Sequence, residues 1–301
     1  MRAGGLVFVL LCAAPAAAEV VYFEDFEDQA HDLALGGGAG HTIGGGVATQ
    51  SYGVEPDGGG YDLEMRLDLL SLASDEGSGG SYVWPGARID VPALSDDAFS
   101  ISAELTIDEA FAGGADQSLS VGLVARCSYL FDPDHCAGLD SNLLSLHYRL
   151  SYAIAGSGSF IGAGAPLEAG QLRLVERNGD GQVDVTVPGI APPLGAPFEM
   201  RLEGTVVPGG LAIVGRMRNG ASEAVVEGFD PTPLTGPGFG IRTGGSVEGL
   251  GGADVTGALD VDVDDVTIAP EPDSPAMALA ALLALVAGGL RSGRSSPRPS
   301  P

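Results

Sequence analysis

Four separate stretches of this chain alternate apolar and polar residues, and almost nothing before Ala276 carries a helical period. Phe99, Ile101, Ala103, Leu105 and Ile107 are interleaved with Ser100, Ser102, Glu104 and Thr106. Leu119, Val121, Leu123 and Ala125 keep the same period. Leu146, Tyr148, Leu150, Tyr152 and Ile154 alternate with His147, Arg149, Ser151 and Ala153, and Phe198, Met200, Leu202, Gly204 and Val206 with Glu199, Arg201, Glu203 and Thr205. Successive strand side chains point to opposite faces, so each stretch predicts a strand with one buried and one wet face, the antiparallel pattern.

The connections agree. Asn178-Gly179-Asp180-Gly181 separates Leu172–Glu176 from Gln182–Val187, Pro208-Gly209-Gly210 precedes Leu211–Met217, and Arg218-Asn219-Gly220 follows. Such residues supply the positive φ of tight hairpins. With 48 glycines and 20 prolines, about a dozen short strands are expected. No repeat of 20–50 residues is present, so two packed sheets are expected rather than a propeller. In the final strand Leu259, Val261 and Val263 share one phase and Val266 and Ile268 the other. That slip predicts a β-bulge at Asp264-Asp265.

Both ends read as targeting segments. Met1-Arg2, the apolar Leu6–Ala14 and Ala16-Ala17-Ala18 form a signal peptide over residues 1–18. Cys12 is not a lipidation site, because Leu11 rather than a small residue precedes it. At the other end a proline joint (Pro270, Pro272, Pro275) leads into the uncharged segment 276–290, expected as an apolar helix, and then Arg291 and Arg294. An apolar span followed by cations places the cations on the cytoplasmic side of a membrane. One all-β domain over residues 19–269 is left between the two.

Ten arginines, no lysine and thirty-eight acids fall within residues 19–270, a formal charge of −28. Such a surface repels phosphate backbones, which excludes nucleic acid as a partner. Cys127 and Cys136, an even pair in an exported chain, predict a disulfide closing a short loop, worth about 2.5 kcal/mol. Asp132, Asp134 and His135 between them offer the alternative of a metal site.

Two resemblances follow. Pro270-Glu271-Pro272, the apolar span and the arginines resemble the PEP-CTERM sorting signal of Gram-negative bacteria. That resemblance implies removal of the tail, residues 270–301, by an exosortase at the inner membrane, in species that secrete exopolysaccharide. Within the domain, the order Tyr22-Phe-Glu-Asp-Phe-Glu27, Phe99-Ser-Ile-Ser-Ala-Glu104, Gly122-Leu-Val-Ala-Arg126, Phe198–Gly204, Gly238-Phe-Gly-Ile-Arg242 and Asp262–Ile268 resembles concanavalin A-like, laminin-G-type jelly rolls. This implies an antiparallel two-sheet sandwich whose first and last strands pair, bringing Asp25 and Glu27 near Asp262 and Asp264.

Reactive constellations are sparse. Jelly-roll glycosidases carry paired carboxylates on one strand. Glu24–Asp28, Asp62-Leu-Glu64 and Asp260–Asp264 do not match their Glu-x-Asp-x-x-Glu spacing, although Asp260, Asp262 and Asp264 share one strand face. His31, His41, His135 and His147 make no zinc spacing. Glu176–Asp184 imitates a calcium loop but has Val187 where its last acid belongs, so a hairpin turn is expected. No cofactor is expected; calcium held by Asp25, Asp262 and Asp264, where the first and last strands meet, is the metal left open. His147 and Arg149 on an outward face, and Trp84 as a sugar platform or core filler, are the ligand-binding candidates. The expectation is an exported, non-catalytic, lectin-like surface or matrix protein associating with exopolysaccharide or surface proteins. The alternative is a diverged polysaccharide hydrolase or lyase.

Overall fold

The computed structural model describes residues 20–36, 47–57, 60–71, 81–83, 86–112, 117–127, 146–158, 167–177, 182–247 and 257–270. Both targeting segments, Trp84, Cys136, Glu271 and Pro272, the apolar segment 276–290, Arg291 and Arg294 lie outside them. Among the described residues there is no helix long and apolar enough to cross a membrane.

The chain runs through β1 (Tyr22–Glu24), β2 (Ala34–Gly36), β3 (Val47–Asp57), β4 (Gly60–Ser71), β5 (Ser81–Val83) and β6 (Gly86–Asp90). A 3-10 turn at Pro92–Leu94 leads to β7 (Phe99–Ala112), β8 (Gln117–Cys127), β9 (His147–Gly158), β10 (Leu167–Glu168), β11 (Gln171–Arg177) and β12 (Asp184–Pro188). The hairpin strands β13 (Phe198–Val207), β14 (Gly210–Asn219) and β15 (Ser222–Asp230) precede β16 (Gly238–Val247) and β17 (Gly257–Ala269). These exceed the dozen strands expected, because pieces of two or three residues such as β1, β2, β5 and β10 are too short to show a period.

Two antiparallel sheets result, and together they form a jelly-roll sandwich. The first has the order β15-β14-β13-β7-β17-β4-β3, with β1 on β17; the second has β12-β11-β9-β8-β16-β6-β2, with β10 on β9 and β5 on β16. The first and last strands pair as expected, Tyr22 opposite Ile268 and Glu24 opposite Val266. The bulge is also where the phase slip placed it. Register with β7 shifts between Asp264 and Thr267, and Asp265 takes φ 49°. The hairpin expected at residues 176–184 is the β11–β12 turn, closed by the Glu176 N–H donating to the Val183 carbonyl.

The apolar phases of both sheets meet in one core. Phe99, Ile101 and Leu105 of β7, Val121 and Leu123 of β8, Tyr148 and Leu150 of β9, Met200 and Leu202 of β13, and Val261 and Val263 of β17 are all buried there. Phe99 meets Phe239 edge to face at 5.6 Å, a geometry favoured by the ring quadrupoles. Gly204 lies opposite Phe99 in the ladder, and a Cβ there would come within 2.3 Å of Phe99 Cε1. The missing side chain is therefore what admits the ring. Val206 departs from the alternation and is half exposed, next to the turn that joins β13 to β14.

Buried polar groups tie the 231–237 crossing to the second sheet. Arg126 turns inward at φ 55° and donates to the carbonyls of Leu234 (2.7 Å) and Asp97 (2.5 Å), its guanidinium 5.2 Å from the Phe99 ring centre. The Tyr148 hydroxyl donates to Asp230 and accepts the Leu234 N–H at 2.8 Å. Asp230 also accepts the Thr232 N–H at 2.7 Å. Burial and then the bond to Asp230 push the Tyr148 phenol up, and burial lowers Arg126. Leaving any of these groups without its partner would cost about 1–3 kcal/mol.

Candidate functional site

The outer face of the first sheet collects the polar phases of β3, β4, β7, β13, β14, β15 and β17, and its two halves differ. On β13–β15 the hairpin registers set Glu199 opposite Arg218, Arg201 opposite Arg216, and Arg218 opposite Glu223. Between them lies a groove of about 240 Å³, lined by Glu199, Arg201, Glu203, Arg216, Arg218 and Glu223. Arg201 pairs with Glu203 at 2.5 Å, and Arg216 bridges Glu203 (3.3 Å) to Glu223 (3.5 Å). Arg218 donates through Nε to the Gly220 carbonyl at 3.2 Å. Among the described residues no ion pair joins Arg218 to Glu199. Ion pairs this exposed contribute about 0–1 kcal/mol each, so the lattice does more for polarity than for stability.

The other half is acidic. β17 is an interior strand there, between β7 and β4. Asp260, Asp262 and Asp264 share its outer face, as the period required. Arg66 is the cation among them, donating to Asp260 (2.7 Å), Asp68 (3.2 Å) and Glu109 (3.1 Å). A second bulge, where β7 slips between Asp260 and Val261 of β17, sets Asp108 and Glu109 side by side. Asp108 then meets Asp262. Burial, followed by the hydrogen bond and charge of Asp108, pushes the Asp262 carboxyl up to about 8. Two carboxyls this close and this dehydrated favour holding one proton between them.

The neighbouring acids follow the same direction. Desolvation raises Glu64, Asp260, Asp264 and Glu104, with a further push from Asp260 on Glu64 and from Asp265 on Asp264 and Glu104. Asp25 and Glu27 act on Asp264 through charge. The strand pairing thus brings them to Asp264, while Asp262 is engaged by Asp108. Among the described residues no three His, Cys, Asp or Glu side chains are grouped to hold a metal ion.

His147 and Arg149 do lie on the outer face of β9, but that face is not wet. Their exposures are 1% and 2%, and Arg173, Arg242 and Arg88 on the same sheet face are buried too. Alternation reports which face of a strand a residue takes, and it carries no information on what else covers that face. Arg173 holds Asp184 through two bonds of 2.8 and 2.6 Å, and Arg88 holds Asp90 at 2.6 Å. The hollow between Arg88, Val124, Cys127, Gly238, Gly240 and Arg242 is about 10 Å³, roughly the room for one water. Cys127 ends β8 fully buried.

No family model and no curated protein matches the sequence. The fold is similar to solved sandwich structures. Lectin II from Ulex europaeus is 10% identical with a TM-score of 0.39, over 82% of this chain and 99% of the lectin. The carbohydrate-binding module CBM66 from Bacillus subtilis is 13% identical with a TM-score of 0.36, over 75% and 96%. The CBM2 module of an evolved Dit of Lactobacillus casei BL23 phage J-1 is 10% identical with a TM-score of 0.46, over 85% and 96%. Likenesses of this strength bear on no residue of the groove.

Proposed function

We propose that the chain is an exported, non-catalytic protein of the cell surface or extracellular matrix of a Gram-negative bacterium, whose sandwich associates with polysaccharide. The β13–β15 groove carries this reading. A sugar hydroxyl both donates and accepts, carboxylates only accept and guanidinium groups only donate, and the groove alternates the two over about 240 Å³. Binding of the purified protein to the producer's own exopolysaccharide is the test. Retention that Glu199→Gln and Arg218→Ala together abolish is expected; equal retention of the doubly altered protein would refute the groove as the site.

The tail provides the address. Pro270-Glu271-Pro272, segment 276–290, Arg291 and Arg294 hold the chain in the inner membrane until an exosortase-type enzyme removes the tail. Intact-mass measurement of the mature protein should find a chain starting near Glu19, cut within residues 270–301, and lacking the two hydrogens lost in a Cys127–Cys136 disulfide. A C-terminus retained through Pro301 would exclude sorting by cleavage.

One observation favours a second reading, a polysaccharide hydrolase or lyase. Asp262 faces a second carboxyl, Asp108, and burial followed by that neighbour pushes its own carboxyl upward, the direction a general acid needs. Release of reducing ends or unsaturated products that Asp262→Asn abolishes would replace the non-catalytic reading with this one.

A further inference from the structure

On the carbohydrate-binding reading above, we propose that the β13–β15 face takes a neutral, linear glycan and rejects uronates and sulfated chains, with Glu199 and Arg218 as the hydroxyl-binding pair and Phe229 as a stacking platform. Within the groove, Arg201, Glu203, Arg216 and Glu223 form a continuous chain of ion pairs. Two guanidinium groups and two carboxylates are paired with one another in that chain. Glu199 and Arg218 are left, directly opposite one another in the ladder, with no ion pair joining them among the described residues.

Such a pair presents a bidentate acceptor and a forked donor to the same space. Vicinal hydroxyls answer both: each can donate to the Glu199 carboxylate while its oxygen accepts from Arg218. An anionic sugar answers only Arg218. Its carboxylate or sulfate would face Glu199, with Glu104 next to Glu199 on β7 and Glu223 opposite Arg218 on β15. The groove carries no surplus cation to offset them, in a chain of formal charge −26. Like charges at this range exclude the anion more strongly than one guanidinium attracts it.

The aromatic completes the track. Phe229 lies on the same outer face of β15, in register with Ala212 and through it with Thr205, and is 47% exposed. It is six positions from Glu223 along one strand, about 20 Å at the rise of an extended chain. A single sugar cannot span that distance, and a short linear oligosaccharide lying along β13–β15 can. Ala212 and Thr205 beside the ring are small, which leaves it accessible across the sheet.

The test uses the purified full chain and its Glu199→Gln, Arg218→Ala and Phe229→Ala variants. The polymers are a soluble β-glucan, a galactomannan, alginate and polygalacturonate, at low and high sodium chloride. A neutral polymer should bind with a Kd that salt changes less than about two-fold, since no net charge is neutralised. Glu199→Gln and Arg218→Ala should each weaken it about ten-fold, the loss of one charge-assisted bond. Phe229→Ala should weaken the polymer while leaving a disaccharide of the same sugar unaffected. Preference for alginate or polygalacturonate that fades with salt would overturn the inference while leaving carbohydrate binding standing. Neutral binding indifferent to Glu199 and Arg218 would overturn it as well. Failure of all four polymers together with the producer's own exopolysaccharide would remove the carbohydrate reading itself.

Discussion

Asp262 shows how one side chain couples this sheet face to pH. Its carboxyl is raised to about 8 from an ordinary value of 3.8, by burial first and Asp108 second. A folded-state pKa above the unfolded one means that stability is fully present below about pH 4 and is lost progressively as pH rises from there through 8. Asp262→Asn keeps the neutral donor at every pH. Urea unfolding at pH 5 and pH 9 should find it close to wild type at pH 5 and more stable by about 1–2 kcal/mol at pH 9, the full shift being discounted for a half-solvated site. A variant less stable than wild type at pH 9 would mean the pair is not sharing a proton. Asp262 was legible from the sequence as an outward acid. Asp108 was not legible as its partner, because that contact needs the long-range pairing of β7 with β17 and the bulge within it.

At the scale of elements, a glycine and a bulge each set a local cost. Gly204→Ala drives a methyl group against the Phe99 ring and should cost about 1–3 kcal/mol in thermal or urea unfolding. Phe99→Leu in the same chain should cost less than the two changes summed, since it removes the clash. Strict additivity would place the cost elsewhere. Asp265 sits at φ 49° in the β17 bulge, a conformation that disfavours a β-branched side chain by about 1–2 kcal/mol. Asp265→Val should lower stability by that amount, whereas Asp265→Gly should be nearly neutral. Both features had a sequence signal. Gly204 occupied an apolar phase, and the phase slip fell on Asp264-Asp265. What the sequence withheld was the neighbour, since Phe99 lies far away along the chain.

Across the whole molecule, charge is segregated by face. The β4–β17–β7 half of the first sheet gathers carboxylates around Arg66, and β13–β15 balances its own. With a formal charge of −26, self-repulsion opposes the compact state and salt screens it. Raising sodium chloride from about 10 to 500 mM, which shortens the Debye length from roughly 30 to 4 Å, should raise the Tm. A Tm that fell would mean that ion pairs such as Arg66–Asp260 outweigh the repulsion.

The alternation by itself determined the fold class, the inward face of each long strand, the hairpins at Pro208-Gly209 and Arg218-Asn219-Gly220, and the outward placement of Glu199, Arg201 and Glu203. These are local properties, because a side-chain period of two and the φ of a turn residue act over a few residues. Tertiary structure alone decided the rest. Arg216 and Arg218 reach the groove through the register of a hairpin, Asp108 meets Asp262 through a bulge opposite a distant strand, and His147 and Arg149 are buried on a face the pattern marked as wet. Pairing and covering depend on residues remote in sequence, and a period of two is blind to them.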